Sequence, residues 1–352
     1  MDLQLNGREQ QILSAVVEHH VGTGEPVPSR AISGKGPQRL SPASIRHTMA
    51  ELEERGLLEQ PHASAGRIPT ELGYRVYVDN LMRQRRVAPA DQEFIQQSLD
   101  RPISEVSDLF TQVPRVLASL SHQVGVVISP NLSELRLRRI EFVRLAARRV
   151  VAIVVAQSGV IHNKVFESGE EHTQEALDKA GRYLTDTFEG STLPEVREKI
   201  LSLLAEEQAL YDRLHRDALN LGRAGMDDAG APSDHARVFL DGATNLLAAP
   251  EFADLERIKG VFRTIEEKNN LLRLLDRCIE EGGGGVKVLI GSENRLPDLD
   301  HCALVASTYG AEGSPRGVLG LIGPTRMEYA KAVALVEYVS RFFGQMLARY
   351  KE

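Results

Sequence analysis

The segment from Ser41 to Tyr77 constrains the fold more than any other part of the chain, because it combines a capped helix, a short hairpin and a second helix. Ser41 is a preferred N-cap residue, and Pro42 fits the first helical turn, where a missing N–H group leaves no hydrogen bond unmade. Gly56 is typical of a position just after a helix end. The pattern predicts a helix that begins after Ser41 and ends before Gly56.

This predicted helix has one apolar face and one polar face. Ile45, Met49 and Leu52 lie at i, i+4 and i+7, so they form a stripe that packs against a core. The opposite side carries small and hydrogen-bonding residues, which let a helix backbone lie close to the base edges of DNA. These outward residues are Ala43, Arg46, His47 and Ala50. Acidic residues crowd the C-terminal end, so only the N-terminal half is expected to approach phosphate groups.

A second helix is predicted upstream, where Asn6 and Glu9 form a capping box before an apolar run. A brief helix from Pro28 to Ile32 would give the order helix, turn, helix before the capped helix. All charged residues between positions 30 and 46 are basic, and they are Arg30, Lys35, Arg39 and Arg46. This stretch is therefore expected to attract phosphate groups.

A hairpin is predicted after the capped helix. Leu57-Leu58 suits a short strand, Pro61–Gly66 suits a hairpin tip, and Thr70-Glu71 suits the start of a new helix. Arg67 follows the tip and has no obvious packing role in the sequence. We therefore expect Arg67 to contact the phosphate backbone or a narrow minor groove.

Ordinary packing explains the same pattern about as well as DNA binding does, and the net charge of −7 argues against a nucleic-acid binder. However, residues 1–90 carry 11 basic and 10 acidic side chains, whereas the remainder carries 31 and 39. Binding depends on the sign of a local patch rather than on the total charge.

Tyr74 and Tyr77, spaced i, i+3 below the hairpin, are interpreted as core residues.

Four motifs closely resemble the HrcA family of heat-inducible transcription repressors. They are Ser41–Arg46, Pro61–Thr70, Gly73–Asp79 and, near the other end of the chain, Gly317–Tyr329. Three positions depart from the family pattern. His47 stands where Asn is usual, Ser44 where Thr is usual, and Ala63 where Thr is common. A slightly different base preference is therefore expected.

The resemblance implies an α+β protein with an N-terminal winged helix-turn-helix domain, a GAF-like domain, and a helical dimerisation module inserted into the GAF-like domain. We expect these at residues 1–88, at 89–168 together with 256–352, and at 169–255. The resemblance also implies a homodimer that binds double-stranded DNA at the inverted-repeat operator of chaperone operons and leaves it on heat stress. A GroEL-type chaperonin is implied as the partner that helps to keep the repressor folded.

DNA contacts are expected from the capped helix, its flanks and the hairpin. Arg46 is the best suited to bidentate reading of a guanine, and His47 or Ser44 would add a hydrogen bond. The complete set of expected DNA-binding residues is Arg30, Arg39, Ser41, Ala43, Ser44, Arg46, His47, His62, Ser64 and Arg67.

Helices and strands are predicted throughout the rest of the chain. Helices are predicted at 103–123, 172–188, 193–221 and 255–279 and around Val333–Phe343, and strands at 124–129, 137–145, 150–156, 160–167, 286–290, 302–308 and 317–322. The order indicates one sheet that begins near residue 124, is interrupted by a helical module and is completed after residue 286.

No catalytic, cofactor or metal pattern is indicated. His215-Arg216-Asp217 resembles part of a kinase catalytic loop, but no glycine-rich loop accompanies it and it lies in a helix pattern. Gly282–Gly285 follows a helix and precedes a strand, the reverse of a phosphate-binding order. Cys278 and Cys302, the only cysteines, have no C-x-x-C spacing and are expected to be buried free thiols.

The absence of an N-terminal apolar signal region and of a membrane-spanning apolar run leads us to expect a cytoplasmic protein. Two rival functions remain. One is a ligand-gated winged-helix regulator with a small-molecule site in the GAF-like domain. The other is an enzyme fused to a DNA-binding module, against which the missing catalytic motifs count.

Overall fold

The structure, a computed structural model, describes residues 4–33, 40–100, 106–129, 136–157, 161–206, 213–226, 238–252, 254–266, 285–310 and 317–349. These residues form helices and antiparallel sheets, which is the α+β class that the sequence predicts. We name three parts by their described residues: the amino-terminal module (4–88), the three-stranded body (136–226) and the sheet body (89–129 and 238–349). In the described ranges, no helix has the length and apolar character needed to span a membrane.

The amino-terminal module begins with two capped helices, α1 (Gly7–Thr23) and α2 (Pro42–Glu54). The predicted capping box is present, because the Asn6 side chain accepts from the Glu9 backbone N–H and the Glu9 carboxylate accepts from the Asn6 N–H at 2.8 Å. Gly56 adopts a φ of +72° just after α2, a conformation that favours glycine. Both helices confirm the sequence prediction.

A hairpin and a short helix complete the module. They are β1 (Leu58–Glu59), β2 (Ile68–Pro69) and α3 (Glu71–Val76), which runs into a π-helical turn at Tyr77–Leu81. The predicted brief helix from Pro28 to Ile32 is wrong. A hydrogen-bonded turn occurs there, with the Ala31 N–H 2.8 Å from the Pro28 carbonyl oxygen, because so short a segment does not repay the cost of helix nucleation. Val27, just before the turn, instead forms a β-bridge with Arg67.

The chain then forms a three-stranded body that the sequence did not predict as a separate unit. Three elements of the sheet body come before it in the chain: α4 (Pro89–Leu99), α5 (Val106–Ser121) and β3 (Val124–Ile128). The three-stranded body itself contains β4 (Leu137–Arg144), β5 (Arg149–Ala156), β6 (Ile161–Glu167), α6 (Gln174–Phe188), α7 (Leu193–Glu206) and α8 (Arg213–Met226). The sheet order is β4-β5-β6, and Phe142, Val154 and Leu184 lie in a core between this sheet and the helices. The expectation that residues 137–167 begin the sheet containing β3 is therefore wrong. Sequence-neighbouring strands pair with each other at the smallest loop-closure cost.

The single helix predicted at 193–221 is also corrected. α7 and α8 are two helices that pack side by side, and Ile200 and Leu219 share the core of the three-stranded body. Periodicity alone does not distinguish one long helix from two short ones with the same apolar repeat.

The sheet body contains a five-stranded antiparallel sheet. Its remaining elements are β7 (Val238–Asp241), α9 (Leu255–Glu266), β8 (Val286–Ile290), β9 (Cys302–Tyr309), β10 (Gly317–Pro324) and α10 (Tyr329–Arg349). The strand order is β7-β3-β10-β9-β8. Val127 and Leu319 pack on the side of α5 and α10, whereas Val126 and Leu304 pack on the side of α9. Alternating side chains of the same strands thus build two cores.

The core of the amino-terminal module continues into the sheet body. Tyr74 and Tyr77 are buried, as predicted, in one cluster with Met327 and Tyr329. The ring centroids of Tyr74 and Tyr329 are 5.9 Å apart. The two parts share one apolar interior, whereas the three-stranded body has a core of its own.

The motifs interpreted as structural are consistent with this fold where they are described. Asp217 lies within α8, in agreement with the helix pattern expected around it. Cys302 is buried and free, and burial raises the pKa of its thiol to about 12. Cys278 and residues 282–284 lie outside the described residues.

Candidate nucleic-acid interface

One face of α2 is fixed in the core, so the opposite face is turned outward. The Ser41 hydroxyl accepts a hydrogen bond from the Ser44 N–H at 3.2 Å, which caps the helix as predicted. The predicted apolar stripe is buried in the described structure, and its members are Ile45, Met49 and Leu52. Thr48 is buried beside this stripe, whereas Ala43, Arg46 and His47 face away from the module.

The outward face of α2 presents Arg46 and His47 to solvent, with Ala43 between them and the helix start. Ser44 is half-buried, and its backbone carbonyl accepts a hydrogen bond from the Arg8 guanidinium at 2.7 Å. Arg8 thus adds a cation beside the first turn of α2. Arg8 was not predicted from the sequence, because the contact joins positions 36 residues apart and leaves no local pattern.

Two acidic side chains near the end of α2 have polar partners. The Nε2 atom of His47 lies 3.3 Å from the Glu51 carboxylate, one helical turn away. Glu53 forms an ion pair with Arg67, whereas Glu54 is exposed. The positive charge on this face therefore lies in the N-terminal half of α2, as the sequence predicts.

The hairpin tip presents His62 and Ser64 to solvent. It is closed by the Gln60 amide, which donates to the carbonyl oxygens of Ala63 at 3.0 Å and Ala65 at 2.9 Å. At Gly66 a Cβ atom would lie 2.3 Å from the Val27 backbone carbon, so only glycine fits the close approach. The tip is therefore closed by hydrogen bonds, and it contains no Asp, Glu, Lys or Arg side chain.

The structure contradicts the reason for which Arg67 was expected to contact DNA. Its side chain is only 15% exposed, and its Nε and terminal nitrogen lie 2.8 and 2.7 Å from a Glu53 carboxylate oxygen. Its backbone also exchanges two hydrogen bonds with Val27. Arg67 therefore has a packing role, which is to tie the hairpin to α2.

We expect the substitution Arg67→Ala to lower the free energy of unfolding by about 1 kcal/mol, because it leaves the half-buried Glu53 without its partner in a partly solvated site. The dependence of DNA affinity on salt is expected to stay unchanged. Urea unfolding and a salt series of binding measurements test this, with Glu53→Ala as the matched variant. A reduced salt slope with unchanged stability would instead support the phosphate contact expected from the sequence.

The remaining expected contact residues lie beside α2 in the chain. Arg30 is exposed in the turn before α2. Arg39 and Lys35 lie outside the described residues. Of the expected set, the structure thus places Arg30, Ser41, Ala43, Arg46, His47, His62 and Ser64 at the surface, Ser44 half-buried and Arg67 in an ion pair.

Other kinds of site have little support in the described part of the chain. No group of three or more His, Cys, Asp or Glu residues is arranged there to hold a metal ion. Surface crevices of about 290, 390 and 260 Å³ lie around the first turns of α10, and Lys331 lines each of them. They follow the seam between the amino-terminal module and the sheet body rather than the interior of the sheet body.

Comparison with known proteins shows the family to which the chain belongs. The family model described as the HrcA protein C-terminal domain matches residues 107–333. A heat-inducible transcription repressor HrcA from Geobacter sulfurreducens is 40% identical over 343 residues, covering 97% of this chain and 98% of that relative. The chain belongs to the HrcA family.

Other HrcA proteins are also similar to this chain over nearly its full length. The heat-inducible transcription repressors HrcA of Syntrophobacter fumaroxidans and Desulfitobacterium hafniense are 38% and 35% identical, and each alignment covers at least 97% of both chains. A crystal structure of a protein described only as hypothetical superposes with a TM-score of 0.63 over 99% of both chains, at 21% identity. That superposition shows that the two proteins share a fold. The HrcA resemblance stated from the four sequence motifs is confirmed.

Proposed function

We propose that this protein is a heat-inducible transcription repressor that binds an inverted-repeat operator of heat-shock genes as a dimer. The observation that carries the proposal is the exposed N-terminal half of α2, with Arg46 and His47, in a chain that belongs to the HrcA family. We also propose that it works in the cytoplasm. We propose further that it has no enzymatic activity, because a repressor acts by occupying DNA.

We infer that the amino-terminal module is a winged helix-turn-helix domain, with α2 as the helix that enters the major groove. Arg46 is then placed to read a guanine, and His47 and Ser44 to hydrogen-bond neighbouring base edges. Exposed His62 and Ser64 of the hairpin tip, together with Arg30, are assigned to the sugar-phosphate backbone, which sets the position of the module on the duplex.

We propose that the sheet body is the GAF-like domain and that the three-stranded body is the inserted dimerisation module. The strand pairing favours an insert at 136–226 rather than at 169–255, because β4, β5 and β6 pair with one another, β4 packs on α6 and β6 contacts α8. Val143, Val151 and Val165 form a cross-strand row on the face opposite α6. Val143 is 39% exposed and Val165 is 50% exposed. A second copy of the chain is the proposed cover for this apolar row.

The substitution Val165→Asp is expected to weaken dimerisation and to reduce affinity for the full operator at least about tenfold, because a charge would be buried in the proposed interface. The stability of the monomer should change little, since Val165 is half-exposed. Analytical ultracentrifugation measures the effect, and Leu247→Asp, at a 58% exposed leucine of the sheet body, is the matched control. An unaltered dimer in Val165→Asp would exclude this face.

Heat release is proposed to follow from marginal stability, because net folding free energy is a small difference between large terms. A GroEL-type chaperonin is proposed as the partner that returns unfolded repressor to the active pool, as the family resemblance implies. We infer that the amino-terminal module does not melt first, since its core continues into the sheet body. A calorimetric scan in which this module unfolds before the rest would contradict that inference.

Binding to the inverted repeat of a chaperone operon, compared with scrambled DNA across a salt series, tests the proposed function. We expect specific binding at least about a thousandfold tighter than binding to scrambled DNA at physiological salt. Affinity for both duplexes should fall as salt rises, because phosphate contacts release counterions. Equal affinity for the two duplexes by freshly folded protein would overturn the proposal.

A further inference from the structure

The amino-terminal module is fastened to the sheet body through Arg75 of α3. The Arg75 Nε atom donates to Glu293 at 2.8 Å, and a terminal nitrogen donates both to the other Glu293 oxygen and, at 2.7 Å, to the carbonyl oxygen of Val288. Val288 lies in β8, and Glu293 lies in the turn that follows it. Burial by itself lowers the pKa of Arg75, but the hydrogen bonds and charges of Glu293 and of Asp79, 3.1 Å away, outweigh it and the pKa is raised. One guanidinium thus joins α3 to the end of an edge strand.

Glu71, one helical turn before Arg75, contacts the same turn. Its carboxylate accepts from the Ser292 hydroxyl at 2.6 Å and from the Ser292 N–H at 3.2 Å. Gly291 has a φ of +55°, and a Cβ atom there would lie 2.0 Å from a Glu71 carboxylate oxygen. The positive φ favours glycine at this position, and a Cβ atom there would displace the Glu71 carboxylate from the turn.

A second attachment lies at the end of α1. Arg326, just after β10, donates from a terminal nitrogen to the Val21 carbonyl oxygen at 3.0 Å and pairs with Glu251 at 2.5 Å. Its guanidinium carbon lies 3.2 Å from the position that a Cβ atom would take on Gly24. The side chain is only 16% exposed, so this attachment is largely shielded from solvent.

The two attachments involve α3 and the end of α1, whereas the outward residues of α2 take part in neither. The shared apolar interior holds the two parts together but is not directional, and the two polar attachments on different helices restrict small rotations between them. The buried rings of Tyr74 and Tyr329 lie in the same interface. The orientation of α2 relative to the sheet body is therefore fixed by residues away from its exposed face.

We propose that Arg75 and Arg326 are positioning residues for operator binding: they hold the two α2 helices of a dimer at the separation that the inverted repeat requires, without touching DNA. The proposal rests on the proposed function, because it needs a dimer that reads two half-sites. In such a dimer, half-site spacing is set by protein geometry. A loosened module would still read one half-site but would lose the advantage of binding both at once.

The experiment measures the affinities of Arg75→Gln and Arg326→Gln for three duplexes: the full inverted repeat, a single half-site, and repeats with a longer or shorter spacer. We expect each variant to bind the half-site within about twofold of the unmodified protein and the full repeat at least tenfold more weakly. Their preference for one spacer length should also flatten. Arg75→Lys, which keeps the charge, should restore part of the full-repeat affinity.

Arg341→Gln is the matched control. It removes an ion pair with Glu337, at 3.0 Å on the exposed side of α10, that joins no two parts of the chain. It should leave all affinities unchanged. If Arg75→Gln fails to fold, Glu293→Gln, which removes the same charge pair from the other side, takes its place.

The outcomes separate the two proposals. Equal losses on the half-site and the full repeat would show that these arginines only support folding, and unchanged full-repeat affinity and spacing preference would show that the attachments do not position α2. Either result overturns the inference. If the unmodified protein itself shows no preference for the full repeat over the half-site, the proposed dimeric repressor function fails instead.

Discussion

An alanine in place of Gly73 is expected to destabilise the amino-terminal module by about 3 kcal/mol or more and to abolish operator binding. Gly73 lies in α3, where the helix passes over the backbone after α2. A Cβ atom at this position would lie 2.1 Å from the carbonyl oxygen of Leu57 and 3.2 Å from its carbon. Because the neighbour is backbone rather than a flexible side chain, either α3 or β1 must move. Such a shift would displace the hairpin and the exposed face of α2 together.

Gly22→Ala provides the matched control for this change. Gly22 lies in α1 of the same module, and a Cβ atom there would meet nothing within 4 Å. Alanine at an open helical position is expected to leave stability unchanged or to raise it by up to about 1 kcal/mol. Thermal and urea unfolding, followed by operator binding, measure both variants. Equal behaviour of Gly73→Ala and Gly22→Ala would show that the close contact in the structure is relieved without cost.

Arg46→Ala is expected to weaken operator binding by about 1–3 kcal/mol, which is roughly 5- to 150-fold, and to relax specificity at one base position. The side chain is exposed on the outward face of α2 and forms no ion pair in the described structure. Its loss should therefore leave the free energy of unfolding within about 0.5 kcal/mol of the original. Binding to operators substituted at single positions identifies the base that Arg46 reads.

Arg30→Ala is the control that separates base reading from phosphate contact. Arg30 is also an exposed arginine of the module, but it lies in the turn before α2. We expect Arg30→Ala to weaken binding uniformly on all sequences and to reduce the salt slope by about 1. If Arg46→Ala behaved in the same uniform way, Arg46 would have to be reassigned to the phosphate backbone.

The elements that the sequence predicted well are governed by residues close together in the chain. The caps at Asn6 and Ser41 follow from side chains that reach backbone groups two or three residues away. The burial of Ile45, Met49 and Leu52 follows from helical periodicity. For the same reason, the exposure of Arg46 and His47 at the candidate site was predictable.

The errors concern contacts between distant positions. Residues 137–167 have the composition of strands, but composition does not reveal which strands they pair with. β7 has only four residues and gave no recognisable signal. At the candidate site, Arg67 lies 14 residues from its partner Glu53, and Arg8 lies 36 residues from the Ser44 carbonyl oxygen. No spacing rule connects such positions before the chain has folded.

The continuous interior beneath Tyr74 and Tyr329 has a consequence for how sharply the protein responds to temperature. The enthalpy of unfolding grows with the number of residues that unfold together, by about 0.7 kcal/mol per residue near 60 °C. A larger cooperative unit converts from folded to unfolded over a narrower temperature interval. By sharing its interior with the sheet body, the amino-terminal module is expected to unfold over the narrow temperature interval of a unit much larger than itself.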